Sequence, residues 1–369
     1  MSGRSLRDVA AMAGVSFQTA SKVLNGKEGF SSSTRARVLE AAETLGYIPN
    51  VLARSLATRS TYTIGVIATD LSDSTLAQHV VGVEREARRR GFSVIIGSLD
   101  RSGSDAEDYL KVLLERRVDG IIIDAPATEP NEKVGEVLRT SVPTVSLHEI
   151  AGGGVSIVSI DDKMSGLLPV RHLLSLGHER IGMITGIPTR RVTAERSAAY
   201  RDALEESGVA FDPGLVEEGR WEVEDGYRGA QRLLDRAPDI SAIFAQNDMM
   251  AIGVLSAIHD RGLRVPEDCA VVGCDNLPMA SRTIPPLTTV DVPFYSTGEL
   301  AMQVLVDLIA NKRPEPVRRV LPVHMIYRSS TMGEKASTSN QTRLKRAPST
   351  KAARSKRRPL PRLGQKALQ

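Results

Sequence analysis

Apolar residues recur along this chain with two different periods, and the change of period divides it. Near the start, Leu6, Val9, Ala10 and Ala13 lie on one face of a two-turn helix, Leu6 to Ala13. Gly14 breaks it, because glycine readily takes the positive φ of a tight turn. Ser16 then stands as the N-cap of a second helix, Phe17 to Leu24. The apolar side of that helix, Ala20, Val23 and Leu24, turns inward, with Val15 in the angle of the turn. Phe17, Gln18, Ser21 and Lys22 are left facing outward near its N-terminal end. A third helix is predicted from Ser32 to Leu45, between a Ser31 cap and a Gly46 stop. Pro49 stiffens the connecting segment, Asn50 can cap, and Val51 to Ala57 is a helical stretch too short to stand alone in water.

Beyond residue 60 the pattern changes to apolar runs alternating with amphipathic stretches. TIGVIA, FSVIIGS, GIIID, PTVSL and VSIV read as strands, with helices at Ala77–Arg90 and Ala106–Arg117. RIGMIT, AIFA and AVVGC form a second series, separated by helices at Ala194–Ser207, Gly226–Asp235 and Met249–Arg261. Strands alternating with helices of this length imply parallel sheets made of βαβ units. Two series predict two doubly wound α/β lobes, with a ligand cleft at the strand carboxyl ends. The expected division is 1–46 for an all-α helix-turn-helix head, 47–60 for a hinge helix and linker, 61–333 for a two-lobed effector-binding and dimerisation body, and 334–369 for a tail. The tail is Ser, Thr, Lys, Arg and Pro with few apolar residues, and is expected to be disordered.

Charge sharpens this partition. Residues 1–60 carry eight Lys or Arg against four Asp or Glu, and residues 335–369 carry eleven basic residues and no acid. The stretch between has 29 basic and 40 acidic residues, so a net charge of +4 conceals basic ends around an acidic body. Basic ends point to nucleic acid. No run of about 20 apolar residues offers a membrane span, and the N-terminus lacks an apolar core of signal-peptide length, so a cytoplasmic location is expected. Cys269 and Cys274 have no companions at ligand spacing and read as buried thiols, with no metal site or cofactor implied. A G-x-G-x-x-G after the first strand, a P-loop lysine and a nucleophile elbow are all missing, which argues against an enzyme.

The run LRDVAAMAGVSFQTASKVLNG, with YIPNVLARSL after it, resembles the head of the LacI/GalR family of bacterial transcriptional regulators. The resemblance extends to about residue 330 through GHERIGMITG, ERSAAYRDALEESGV, AIFAQNDMMAIG, RGLRVPEDCAVVGCDN and PPLTTVDVP, and through this core to periplasmic sugar-binding proteins. It implies a homodimeric, effector-controlled regulator, expected to be a repressor, that binds a near-palindromic operator. It places Leu6, Ser16, Phe17, Gln18, Thr19, Ser21, Lys22 and Asn25 of the head at the DNA. In the hinge it adds Asn50, Ala53, which would allow close backbone approach, and Leu56, a wedge in the minor groove. Gln18 could bridge an adenine and Lys22 reach a guanine edge.

For the body, the resemblance places Asp73, Arg190, Arg196, Trp221, Asn247, Asp248, Asp275 and Phe294 at a sugar or nucleoside-like effector. Arg196 offers a fork of donors, Asp248 and Asp275 accept from hydroxyl or amine groups, and Trp221 and Phe294 offer stacking faces. Other uses stay open: a helix-terminal ion pair for Arg196, a helix cap for Asn247 and Asp248, a core position for Trp221. The chain departs from the family pattern where many relatives have Asn-Pro-Phe-Phe. Here Thr75 and Leu76 replace the stacking aromatic, and His148 stands after PTVSL where Asp is common. A periplasmic-type receptor would need a signal peptide and no head. The tail's Leu344, Leu360, Leu363 and Leu368 have no heptad spacing, so assembly is expected to stop at the dimer.

Overall fold

The computed structural model describes residues 5–25, 29–47, 60–69, 71–72, 74–100, 102–311 and 315–332. They form two compact units that divide between Thr61 and Tyr62. No described helix is long and apolar enough to cross a membrane.

The first unit holds α1 (Leu6–Met12), α2 (Phe17–Leu24) and α3 (Ser32–Thr44). Each begins at a serine whose side chain accepts a backbone N–H of the first turn: Ser5, Ser16 and Ser31. Val9, Ala10, Ala13, Ala20, Val23, Val38, Ala41 and Ala42 close a small core between them. Its residues are short because three helices of this length must cross at close range.

The second unit is built on two parallel sheets. The first contains β1 (Thr63–Thr69), β2 (Ser93–Leu99), β3 (Gly120–Asp124), β4 (Thr144–Ser146), β5 (Ser156–Ile160) and, from far along the chain, β11 (Arg318–Leu321). Their order is β11-β5-β4-β3-β1-β2, every pairing parallel. Around this sheet lie α4 (Ser74–Arg89), α5 (Ala106–Glu115), α6 (Glu132–Thr140) and α11 (Phe294–Ala310). The second sheet has the order β7-β6-β8-β9, from Val216–Glu218, Ile181–Thr185, Ala242–Ala245 and Ala270–Val272, again parallel. Its helices are α7 (Asp162–Ser175), α8 (Arg191–Glu206), α9 (Val223–Arg236) and α10 (Asp248–Asp260). A short antiparallel pair, β10 (Thr289–Asp291) with β12 (His324–Ile326), lies where the chain passes between lobes. Strands such as β3, β6 and β8 are buried along their whole length, which is why they read as unbroken apolar runs.

Three helices in the body escape the sequence pattern. Residues 162–175 contain an internal proline, Pro169, which interrupts the backbone ladder yet is accommodated within α7. α11 is too apolar to show a clear stripe, since Ala301, Met302, Val304, Leu305 and Leu308 are all buried. α6 is only nine residues long. The first of these positions the cleft floor, and the second positions its wall. α4 and α11 touch backbone to backbone: a Cβ on Gly82 would lie 2.2 Å from the Tyr295 carbonyl oxygen, and one on Gly298 2.0 Å from that of His79.

His172 of α7 is buried, hydrogen-bonds Thr331 Oγ1 at 2.9 Å and stacks on Tyr327 at 4.8 Å. Burial pushes its pKa down to about 4, with His178 adding in the same direction. The folded protein therefore keeps the ring neutral, whereas the unfolded chain takes up a proton below about pH 6.5. Stability is unaffected by this group above that value and is lost as pH falls from 6.5 toward 4. The stability advantage of wild type over His172→Gln should shrink by about 2 kcal/mol between pH 7 and pH 5. Urea unfolding at the two pH values measures it, and a constant gap would contradict a neutral buried ring.

Candidate functional sites: a helix-turn-helix face and an interlobe cleft

In the head, α1 is locked by a reciprocal box in which the Ser5 N–H donates to the Asp8 carboxylate at 2.7 Å and the Asp8 N–H donates back to Ser5 Oγ. Gly14, at φ +63°, makes the turn. Val9, Ala20 and Val23 bury the inner faces, so α2 presents Phe17, Gln18 and Lys22 to solvent, with Thr19 and Ser21 half-buried. Phe17 keeps 51% of its surface exposed, unusual for an aromatic with a core nearby. Ser16 Oγ accepts the Thr19 N–H and bonds Thr19 Oγ1, and Asn25 donates to Ser21 Oγ at 3.4 Å. Leu6 packs against the core. The structure thus gathers Phe17, Gln18, Lys22 and Asn25 on one exposed face, with Ser16 and Thr19 as its cap. Asn50, Ala53, Leu56, Asp73 and the tail lie outside the described residues.

The body encloses a cavity of about 710 Å³ at the carboxyl ends of the strands of both sheets. Arg190, Arg196, Trp221, Asn247, Asp275 and Phe294 line it, as the sequence predicts. Arg196, on α8, is 5% exposed. Its Nε donates to Ser165 Oγ at 2.8 Å, Nη1 to the Gln246 carbonyl at 2.5 Å, and Nη2 lies 3.9 Å from Asp162. Asn247 caps α10 through the Met250 N–H and donates to the Trp221 carbonyl at 3.0 Å. The cap and the cavity wall are therefore one residue. Trp221, at φ +76°, lines the cavity and also packs on the second-lobe core. Asp275 takes φ +123° and binds the Val290 carbonyl through its N–H.

Asp248 is a correction. Its carboxylate is fully buried behind the cavity, accepting the Leu277 N–H at 2.8 Å and the Thr289 hydroxyl at 2.6 Å. As the first residue of α10 it points across to the segment after β9, so it braces the cleft without lining it. Burial pushes its pKa up to about 7.

The sequence pattern gave no warning of the first-lobe wall. His148 is not a strand-end surface residue: its Nε2 donates to Asp124 Oδ1 at 2.8 Å, and its Nδ1 lies 3.7 Å from Glu129. The other Asp124 oxygen accepts from His79 Nδ1 at 2.9 Å, and His79 meets Phe294 edge to face at 5.3 Å. Burial alone would raise the Asp124 pKa, yet the two histidines hold it well below the usual carboxylate range. Burial likewise works against a charged His148, but Asp124, Glu129 and Asp162 outweigh it and raise its pKa. The one local signal is the acid closing the apolar run GIIID.

This combination of a three-helix DNA-reading head and a two-lobed ligand-binding body defines a ligand-controlled transcription regulator. Residues 5–50 match the description "Bacterial regulatory proteins, lacI family", and residues 170–331 match "Periplasmic binding protein-like domain". The HTH-type transcriptional regulator CelR of Thermobifida fusca is 35% identical over 335 residues, 88% of this chain and 97% of its own length. Its complex with cellobiose superposes with a TM-score of 0.67 at 34% identity, covering 89% of this chain and 99% of that one. A lac repressor dimer bound to operator and the anti-inducer ONPF gives a TM-score of 0.81 at 31% identity, with the same coverage. The chain belongs to the lacI family of bacterial regulatory proteins.

A Cβ on Gly186 would fall 1.8 Å from Cζ2 of the Trp221 ring, so glycine is what lets the indole seat. Gly186→Ala should expel that ring. Because Trp221 is the only tryptophan, its fluorescence reports the change directly. A red-shifted emission maximum is expected, and an unchanged spectrum would show that the ring does not depend on this seat.

Proposed function

We propose that this chain is a sequence-specific transcriptional repressor, acting as a cytoplasmic homodimer whose grip on operator DNA is set by a small metabolite in the interlobe cleft. The observation that carries the reading is the cleft itself: about 710 Å³, within the range of small-molecule sites, walled by fixed polar groups from both lobes. Arg196, Asn247 and Asp275 lie on one side and the Asp124-linked histidines on the other. A family head in the same chain gives such a pocket something to control. Binding at either site then changes affinity at the other by the same factor. The lac repressor structure supports a dimer on an operator, and the CelR complex supports a sugar-like effector. The cleft is assigned to binding and not to catalysis, because Arg196 and Asn247 are held in structural bonds that position them without activating a nucleophile.

Two-fold symmetry of the dimer should appear in the DNA. Selection of bound sequences from a random pool should return a near-palindromic site. Gln18→Ala should relax preference at one base pair in each half-site, a loss of about 1–3 kcal/mol for a bidentate contact. Selected sites without dyad symmetry would refute the dimeric reading, and unchanged preferences in the variant would remove Gln18 from the base edge.

A further inference from the structure

Two polar atoms in the first-lobe wall are buried with no hydrogen-bond partner among the described residues: Thr69 Oγ1 and His79 Nε2. Both residues line the cavity. Buried polar groups are nearly always satisfied, so a native protein that leaves two in one wall calls for an explanation. Thr69 ends β1 and His79 stands on α4, the helix that β1 feeds. Neither group is loosely held. His79 is fixed by its Nδ1 bond to Asp124, by the edge contact with Phe294 and by the close α4–α11 backbone approach at Gly298.

The bonding pattern determines what this wall can accept. Asp124 has one oxygen on each histidine, so it offers little to a ligand itself. With Nδ1–H directed at Asp124, the neutral His79 ring keeps Nε2 as an acceptor. Thr69 Oγ1 can donate and accept. The wall therefore suits a group that donates, and a hydroxyl can meet both atoms. It does not suit an anion. Asp124 and Glu129 flank His148, the Arg191 and Arg318 guanidiniums already face Glu149, and Arg196 faces Asp162.

We propose that Thr69 and His79, held on the Asp124–His148 support, form a subsite that reads an uncharged hydrogen-bond donor, a hydroxyl or an amide-like N–H, on the effector. The subsite rejects a phosphate or carboxylate at the same position. His79 thereby becomes a specificity-determining residue. The proposal rests on the reading of the cleft as the effector site.

The test uses the full chain, with calorimetry and thermal shift against ribose, glucose, cellobiose and guanosine, and against ribose 5-phosphate and glucose 6-phosphate. At least one neutral probe should bind wild type, and Thr69→Val and His79→Phe should each weaken it at least tenfold. Trp221→Ala, on the opposite side of the cavity, should weaken it too. Thr69→Val without ligand should melt higher by about 2–4 °C, because it removes an unsatisfied hydroxyl at constant volume. That variant carries the test alone if His79→Phe does not fold. A neutral probe weakened by Trp221→Ala but indifferent to both first-lobe changes would overturn the subsite and leave the effector reading standing. So would binding of the phosphorylated probes only. A probe indifferent to all three variants, or no binding by any probe, would overturn both.

Discussion

The floor of the cleft hangs on one buried guanidinium. Arg196 joins α8 to Ser165 of α7 and to the Gln246 carbonyl at the end of β8, and Gln246 in turn accepts the Gly186 N–H at 3.1 Å. From the next residue, Asn247 holds the Trp221 carbonyl, and Trp221 lies on Gly186. Four loops that are remote in sequence are thus tied into one ring of bonds. A charge taken this far from water is tolerable only while its partners remain in place; removing one partner of such a group costs about 3–5 kcal/mol. The same requirement makes the floor rigid, which is what a site needs if it is to tell one metabolite from another.

The opposite wall uses a different device with the same result. Asp124 is satisfied by two imidazoles instead of by water, so a buried acid becomes a brace between β3, α4 and the end of β4. Fixed second-lobe donors and acceptors face a first-lobe wall that keeps some of its hydrogen-bonding capacity unused. That asymmetry fits a protein in which a small ligand bridges two halves of one unit. In the head the arrangement is simpler: three serine caps and a core of small residues set α2 so that its polar face is all that remains exposed.

Much of this was legible in the chain. Buried parallel strands must be apolar on both faces, so TIGVIA, GIIID, RIGMIT and AIFA announce themselves, and the serine–glycine punctuation of the head is local chemistry. The cavity residues of the second lobe came from family motifs. The hidden part depends on contacts no local pattern carries. His79 and Asp124 are 45 residues apart, Asp124 and His148 are 24, and they meet only because β1, β3 and β4 are neighbours in the sheet. Asp248 was misplaced because one step along a helix changes the direction of a side chain: Asn247 caps and faces the cavity, and its neighbour turns inward. α7 was hidden by Pro169, whose missing N–H counts against a helix unless packing compensates.

The strand order of the first sheet has a consequence for how the molecule is made. β5 finds its outer partner in β11, and the Val317 N–H that begins this pairing donates to Ser156 Oγ across 161 residues of chain. A ribosome adding about 5–20 residues per second needs roughly 10–30 s to cover that interval. Throughout it, the nascent first lobe carries an unsealed strand edge, the kind of surface on which chains pair wrongly with one another. The first lobe, although encoded early, is thus among the last parts of the body to be completed, and the newborn chain depends on its own late segment to close it.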